Sequence, residues 1–197
     1  MCIRDRFNID AEVKESAHAR VNLIGEHTDY TGGYVMPTLL SFKNTIEISK
    51  NNSNEFIVYS QHFKEKKIFN DFKKSSNNEW VDYIKGCLHI FFEENKISSK
   101  SLNIYISSDI PLERGISSSS ALCVATLKAL NTFFETKIKD PEIAKLAKKV
   151  EFNYIGVSGG IMDQMVSSIG IHGKAFFMNC KNLEYKLINF PEIGNFV

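Results

Sequence analysis

Two carboxylates and an imidazole stand close together near the start of the sequence. Glu26, His27 and Asp29 follow directly on a short apolar run, residues 21–24, and a glycine. Carboxylates accept hydrogen bonds from hydroxyl groups, and a loop can direct several of them at one neutral, hydroxyl-rich ligand. A metal site and a purely structural polar turn are the alternatives, and the residues alone do not separate the three.

A glycine and a run of four serines, Ser117 to Ser120, precede a predicted helix. The free backbone N–H groups and the positive end of the dipole at a helix start attract phosphate, and hydroxyl groups can hold phosphate oxygens or Mg²⁺. The segment lacks the Gly-Lys-Ser/Thr ending of a Walker A loop. A serine-capped helix start is the alternative, but four serines exceed what capping needs, which favours a phosphate loop.

A third segment places an acidic residue after two glycines. Gly159 and Gly160 lead into a predicted short helix with Asp163 in its first turn, where the helix dipole favours a negative charge. An ionised carboxylate in this position could accept a proton from an attacking hydroxyl group. An aspartate that merely starts a helix is the simpler alternative for this segment taken alone.

The apolar patterns around these segments predict a mixed set of strands and helices rather than a regular alternation, so the predicted fold class is α+β. The predicted strands are 45–49, 56–60, 102–106, 175–178 and 184–188, with a turn at 51–54 between the first two and the last two forming a pair. The predicted helices are 80–92, the serine run to Phe133, Asp140 (as N-cap) to Tyr154, and 162–169.

Composition excludes several classes of protein. The 197 residues carry a net charge of +1, which gives no electrostatic reason to expect nucleic acid or an acidic membrane as a partner. The lysines at 64, 66 and 67 and at 145, 148 and 149 are expected on solvated faces. Four widely spaced cysteines suit neither a zinc site nor a disulfide framework, and with no apolar signal segment they predict a cytoplasmic protein.

Together, segments 20–37, 111–121 and 160–164 resemble the motifs of the galactokinase branch of the GHMP small-molecule kinases. The first is similar to the signature of that branch nearly residue for residue, the second to the phosphate loop of the superfamily, and the third to the segment that holds its catalytic aspartate. The resemblance implies a GHMP-kinase N-terminal domain, which is ribosomal protein S5 domain 2-like, and an enzyme that phosphorylates galactose at the anomeric hydroxyl with ATP and Mg²⁺.

The resemblance also implies a role for each matching residue. Arg20 would stabilise charge on the transferring phosphoryl group, and Asp163 would take the proton of the sugar hydroxyl. Sugar binding falls to Glu26, His27, Asp29 and Gly160, and Mg²⁺ binding to Ser119 and Glu151. The ATP phosphates would be wrapped by Gly115, Ile116, Ser117, Ser118 and Ser119. Trp80 and Tyr83 are similar to the family's segment near the adenine, although packing in the core explains these two equally well.

Three departures from the family pattern leave the substrate open. Glu113 and Arg114 stand where small residues or glycine are usual, and Cys123 stands where glutamate is frequent. An N-acetylgalactosamine or arabinose kinase and a non-catalytic galactose and ATP sensor are therefore alternatives. The expected domains are an unassigned tail at 1–9, the N-terminal domain at 10–174, and at 175–197 the start of a truncated C-terminal domain. The chain by itself is expected to be inactive.

Overall fold

A computed structural model describes residues 2–76, 79–98, 100–111 and 114–191. The described residues contain eight strands in one mixed sheet, and the main path through the sheet is β2-β7-β3-β6-β4-β5, with β1 beside β3 and β8 beside β7. The strands are β1 (Val13–Asn22), β2 (Tyr34–Val35), β3 (Pro37–Lys50), β4 (Phe56–Ser60), β5 (Glu65–Phe69), β6 (Leu102–Ser108), β7 (Lys174–Asn179) and β8 (Tyr185–Asn189).

Five α-helices are described: α1 (Ile3–Phe7), α2 (Trp80–Asn95), α3 (Ser118–Phe133), α4 (Asp140–Lys149) and α5 (Met162–Ile169). A π-helical turn, Val150–Ile155, continues α4. Helix α3 lies at the centre, in contact with β1, β3, α2, α4 and α5. The mixed sheet with helices packed on it confirms the predicted α+β class.

The main core lies between the sheet and α2, α3 and α4. In α2, Ile84, Leu88 and Phe91 recur at helical spacing and are fully buried, as are Ile104 of β6 and Leu127 of α3. Each such side chain contributes about 1.5–3 kcal/mol when it leaves water. This burial fixes α3 firmly against the sheet, and the start of α3 is where the serine run lies.

Helix α1 packs on the opposite face of the sheet. Tyr105 lies between Ile104 and Ile106 in β6, and because alternate residues of a strand point to opposite faces it turns away from the main core. It clusters there with Ile3 and Tyr59. Ile3 is 1% exposed and its N–H donates to Glu47 Oε2 at 2.8 Å. No pattern in the sequence predicts a helix here, and this segment falls in the unassigned tail at 1–9.

The helices and strands predicted from the sequence are present, but several are longer or begin elsewhere. The prediction missed β5, α1 and most of β1, and it placed β3 and β4 as neighbours across the turn at 51–54. In the sheet, β6 lies between β3 and β4, pairing antiparallel with β3 and parallel with β4. The predicted N-cap Asp140 is instead the first residue of α4, and Lys139 is the N-cap.

Strands β7 and β8 pair antiparallel, as predicted. Strand β7 also pairs with β2 and, at Thr38 and Ala175, with β3. In the described chain these two strands therefore extend the same sheet, and the domain boundary after residue 174 stays a prediction. No helix in the described part of the chain is both long and apolar enough to cross a membrane.

Candidate active site

Strand β1 brings Arg20 to the site through an irregularity in its pairing with β3. His18 pairs with Lys43 and Arg20 pairs with Leu39, so the register shifts between the two pairs. Bulges of this kind bend a strand and redirect its side chains, and they are frequent beside active sites. The backbone N–H of Arg20 donates to the carbonyl of Ile116 at 3.2 Å, which joins the strand to the loop before α3.

The carboxylate of Asp163 accepts three hydrogen bonds from two different segments. Arg20 donates from Nε to Oδ1 at 2.7 Å and from Nη2 to Oδ2 at 2.8 Å, the two-point geometry that suits a guanidinium and a carboxylate. The hydroxyl of Ser117 also donates to Oδ2. Because a carboxylate offers about four acceptor positions, Oδ1 keeps one for a hydroxyl group of a ligand.

Hydroxyl groups of the serine run donate hydrogen bonds to acidic side chains instead of capping α3. Ser117 precedes the helix in the left-handed conformation, with φ of 60°, and makes no side-chain cap within the described chain. Ser119 Oγ and Ser120 Oγ donate to the two oxygens of Glu151, each at 2.7 Å. A left-handed serine is strained, and such strain concentrates at functional sites. The geometry therefore favours a binding loop over a simple helix cap.

Glu151 lies in the π-helical turn after α4. Such turns are rare in proteins, and those that do occur are often found at functional sites. Gly86 of α2 permits the close approach of this turn, because a Cβ atom at position 86 would lie 2.8 Å from Tyr154 and 2.9 Å from Val150. Glycine inside a helix costs roughly 0.5–1 kcal/mol relative to alanine. At position 86 glycine lets the π-helical turn pack closely against α2, and in this position Glu151 contacts the start of α3.

The surroundings of Glu151 fit the predicted magnesium site. Glu151 is 4% exposed and, besides the two serines, accepts a hydrogen bond from Gln164 Nε2. The Oε1 atom of Gln164 is buried without a hydrogen-bond partner among the described residues. One carboxylate with nearby neutral oxygens suits Mg²⁺, which prefers oxygen ligands and is shared with substrate phosphates in kinases. Ser119 and Glu151 could hold this ion, and the sequence assigned no role to Gln164.

The loop between β1 and β2 presents polar groups at the mouth of the site. The side chains of Glu26 and His27 are exposed, and Asp29 is half-buried. His27 is left-handed, with φ of 63°, and its Nδ1 lies 3.1 Å from the hydroxyl oxygen of Tyr30. These side chains have few protein partners, which leaves their hydrogen-bonding atoms available to a ligand.

Asp29 lies directly against Gly160. A Cβ atom at position 160 would lie 2.0 Å from Oδ2 of Asp29, so only glycine fits beside that carboxylate. Gly160, to which the family resemblance assigns sugar binding, thus also makes room for Asp29. Burial, followed by the charge of Asp29, raises the pKa of the Cys180 thiol to about 11.

Two cavities meet at Asp29, Tyr30 and Asp163. The first, of about 190 Å³, is lined on its other sides mainly by Ser119, Ser120, Lys148, Glu151, 157–160 and Gln164. The second, of about 400 Å³, is lined on its other sides by 20–22, Glu26, His27, 114–116 and Met162. We call them the phosphate-side cavity and the sugar-side cavity. A larger cavity of about 630 Å³ near residues 50–54 lies among none of the predicted site residues.

The two predicted adenine contacts are not among the residues that line these cavities. Trp80 stacks on Phe63 with ring centroids 5.8 Å apart and donates from Nε1 to Glu65 at 2.8 Å. Tyr83 packs against the main core, and burial, with the charge of Glu151, raises its pKa. Both positions agree with a packing role, and adenine contact stays a prediction.

The three departures from the family pattern occupy different places. Arg114 lines the sugar-side cavity. Cys123 is fully buried, and the neighbouring Cys87 thiol and burial together raise its pKa well above the usual value. Glu113 lies outside the described residues.

Asn22 is a further polar residue that the sequence left without a role. It lines the sugar-side cavity, and both polar atoms of its carboxamide are buried without a partner among the described residues. Buried polar groups are nearly always hydrogen-bonded, so an orphan at a cavity wall is informative. Neither periodicity nor spacing distinguishes this asparagine from the rest of a strand end, which is why sequence reasoning passed over it.

Comparison with known proteins places these residues in a family. A family model described as the GHMP kinases N terminal domain matches residues 82–170, which include the serine run, Glu151 and Asp163. A second model, the galactokinase galactose-binding signature, matches residues 4–50, which include Arg20 and the Glu26 to Asp29 loop.

Individual relatives agree with the family models. A galactokinase of Pyrococcus furiosus is 37% identical over 92% of this chain and 51% of its own length. The crystal structure of Lactococcus lactis galactokinase complexed with galactose superimposes with a TM-score of 0.85 at 30% identity, over 95% of this chain and 50% of that one. Methanococcus jannaschii mevalonate kinase shares the fold, with a TM-score of 0.76 at 24% identity over 91% of this chain and 56% of that one.

The chain thus spans about half the length of the relatives it matches. Its matches to the two models cover all the residues of the two cavities that sequence reasoning singled out. The chain belongs to the galactokinase family of GHMP kinases, and it carries the galactose-binding signature and the N-terminal domain of that family.

Proposed function

We propose that the whole protein transfers the terminal phosphoryl group of ATP to the anomeric hydroxyl of galactose. The observation that carries the proposal is the position of Asp163 in the wall shared by the two cavities. A group in this position touches both a sugar beside Glu26 and Asp29 and a phosphate beside Ser119. Phosphoryl transfer depends mainly on such positioning and on neutralisation of charge.

The sugar-side cavity supplies the recognition of hydroxyl groups. Glu26, His27 and Asp29 would accept hydrogen bonds from the sugar, and Gly160 keeps Asp29 at the edge of the cavity. Asp29 is half-buried, so an epimer that left its carboxylate unpaired would bind poorly. This argument supports selection of a particular sugar, and the galactose-binding signature across the loop supports galactose.

Asp163 would accept the proton of the attacking hydroxyl group at the free position on its Oδ1. Its two contacts with Arg20 and its contact with Ser117 fix the carboxylate in one orientation. Positioned proton acceptors of this kind contribute about 10²–10⁴-fold to a rate. Arg20, which lines the sugar-side cavity and contacts Asp163, would stabilise the negative charge that develops on the transferring group.

The start of α3 would bind the nucleotide phosphates. No side-chain cap is described at the N-terminus of α3, which follows Gly115 to Ser117, and a helix dipole favours anions at this end. Mg²⁺, when bound by Ser119 and Glu151, would neutralise phosphate charge. Adenine contact by Trp80 and Tyr83 and a cytoplasmic location remain predictions.

The test uses the product of the complete reading frame, assayed for ADP release with ATP, Mg²⁺ and galactose. Asp163→Asn keeps the size of the side chain but removes the proton acceptor, so the turnover rate should fall by about 10²-fold or more. Asp71→Asn, an exposed aspartate on a loop, is the matched control and should leave turnover unchanged.

The same assay with N-acetylgalactosamine and arabinose distinguishes the related kinases. Turnover with one of these sugars and none with galactose would contradict the proposal that galactose is the substrate. Binding of galactose and ATP without phosphorylation of any sugar would overturn the enzymatic proposal and favour a sensor. Turnover retained in Asp163→Asn would refute the role of that carboxylate.

A further inference from the structure

Lys148 stands apart from the other two lysines of its surface cluster. On the same helix, Lys145 pairs with Glu142 at 2.8 Å, and Lys149 pairs with Glu94. Lys148 has no carboxylate partner within the described ranges. The sequence predicts a solvated face for all three; Lys145 is exposed, and Lys148 and Lys149 are both half-buried.

The ammonium group of Lys148 turns instead toward the phosphate-side cavity. Its Nζ donates to the carbonyl oxygen of Gly159 at 2.6 Å, and its side chain is half-buried. The same cavity is lined by Ser119, Glu151 and Asp163. An ammonium group has three donors; besides the contact with Gly159, Nζ lies 5.5 Å from the centroid of the Phe152 ring, and a donor remains for a ligand.

The charge of the cavity wall requires a cation if a phosphate enters. Asp29, Glu151 and Asp163 all line the cavity, and Lys148 is the one basic side chain among its described lining residues. Of the three carboxylates, Asp163 is paired with Arg20, whereas Glu151 accepts hydrogen bonds only from neutral donors. A nucleotide phosphate adds further negative charge to this wall, and an unpaired ammonium group at its edge reduces the repulsion.

We infer that Lys148 binds a phosphate group of the nucleotide, and this inference rests on the proposed function. The side chain would keep its contact with Gly159 and direct a second donor at a phosphate oxygen. The competing explanation is that Lys148 only braces the turn at Gly159 and Gly160, which lies against Asp29 of the sugar-side cavity. The two explanations predict losses for different ligands.

The experiment compares Lys148→Met, Lys148→Gln and Lys148→Arg in the product of the complete reading frame. Titration calorimetry measures the Kd of a non-hydrolysable ATP analogue with Mg²⁺, and kinetics give KM for ATP and for galactose. Methionine and glutamine should both weaken nucleotide binding about tenfold, since a hydrogen bond to a charged group is lost in each. Arginine should largely restore it. The KM for galactose should stay within about twofold of the wild-type value.

Lys145→Met, on the same helix, is the control and should bind the nucleotide as the wild type does. The inference also expects a weaker dependence of Kd on salt in Lys148→Met. Unchanged nucleotide affinity in the methionine variant, or a raised KM for galactose that glutamine restores, would overturn it in favour of the bracing role. A wild-type protein that binds the nucleotide but phosphorylates no sugar refutes the proposed function alone, because the affinity series still decides the role of Lys148. Failure of the wild type to bind nucleotide refutes both.

Discussion

The two cavities that meet at Asp163 are built in opposite ways. On the phosphate side, Glu151 is buried, and its hydrogen bonds come from Ser119, Ser120 and Gln164 before any ligand arrives. On the sugar side, Glu26 and His27 are exposed and have few protein partners. The phosphate side is therefore organised by the fold, whereas the sugar side presents exposed polar groups that a ligand could contact.

This difference predicts how each side responds to substitution. A change on the phosphate side alters buried hydrogen bonds, so it should reduce stability together with activity. A change on the sugar side should reduce sugar affinity and leave stability nearly unchanged, because exposed substitutions usually shift stability by less than about 0.5 kcal/mol.

The largest effect is expected where the sugar side depends on tight packing. In Gly160→Ala, the new Cβ atom would lie 2.0 Å from Asp29 Oδ2, so the carboxylate must rotate into solvent. Galactose affinity, measured by calorimetry, should fall about a hundredfold, as for a lost hydrogen-bonding pair at a charged group. Gly159→Ala is the control, because a Cβ atom there meets no described atom within 4 Å. Equal affinities in the two variants would show that Asp29 does not hold the sugar.

On the phosphate side, Glu151→Gln should reduce both the stability of the protein and its activity. The introduced NH₂ group faces donors from Ser119, Ser120 and Gln164, so at least one buried donor loses its acceptor. The free energy of unfolding should fall by about 1–3 kcal/mol, and Mg²⁺-dependent turnover should fall with it. Urea denaturation and the ADP-release assay measure the two. Unchanged stability would break the contrast between the cavities.

Glu26→Gln is the matched change on the exposed side. It replaces one acceptor oxygen by a donor at a solvent-facing position, so the KM for galactose should rise about tenfold with no change in denaturation midpoint. A loss of stability similar to that of Glu151→Gln would show that the loop is organised by the fold after all.

Ser117 offers a change in which stability and activity move in opposite directions. Its left-handed φ of 60° disfavours every residue except glycine, by about 1–2 kcal/mol. Ser117→Gly relieves this strain but removes the hydroxyl group that contacts Asp163. Ser117→Ala removes the same hydroxyl group and keeps the strain. In urea denaturation, the free energy of unfolding of Ser117→Gly should exceed that of Ser117→Ala by about 1 kcal/mol, while both variants lose activity. Equal stabilities would show that the backbone at 117 is not strained.

The sequence predicted which motif residues come together better than it predicted the partners of those residues. The motif residues Arg20, Ser119, Glu151 and Asp163 do come together, as the family resemblance implied, although most of the strand that carries Arg20 was missed. The partners of these residues were missed. Gln164 and Asn22 lie on elements that carry several other polar residues, and what distinguishes these two is burial, which depends on the parts of the chain that pack over them.

The topology was harder to predict for a similar physical reason. Strand β6 enters between β3 and β4 from a distance of more than forty residues along the chain, and no local signal encodes such pairing. Strand β5 and helix α1 are short, and their apolar residues are too few to set a period. The left-handed backbone at Ser117 and His27 likewise follows from tertiary contacts and not from the residue type.

The smallest expected effect concerns a histidine pair behind Arg20. His18 Nδ1 lies 2.9 Å from His172 Nε2, and Ser167 of α5 donates to the carbonyl of His18 at 2.9 Å. Burial, and then the charge of His172, lower the pKa of His18, with a smaller contribution from Lys43, while hydrogen bonds to the carbonyls of Leu40 and Ser41 oppose the shift. The hydrogen bond from Ser167 links β1 to α5, the helix of Asp163, and His172 lies in the turn that follows α5.

A lowered folded-state pKa means that the folded protein disfavours the charged form of His18. At a pH above 6.5, the pKa of histidine in the unfolded chain, His18 is neutral and does not destabilise the folded protein. As the pH falls through 6.5 toward the lowered pKa, the unfolded chain binds the proton more readily, so stability is lost. In His172→Gln the repulsive partner is removed, so the loss of stability between pH 7.5 and pH 5.5, values chosen to bracket this range, should be smaller than in the wild type. Urea denaturation at both values measures this difference, with His62→Gln, an exposed histidine, as control. If His172→Gln loses as much stability on acidification as the wild type does, the repulsion between the two histidines does not affect the folding equilibrium.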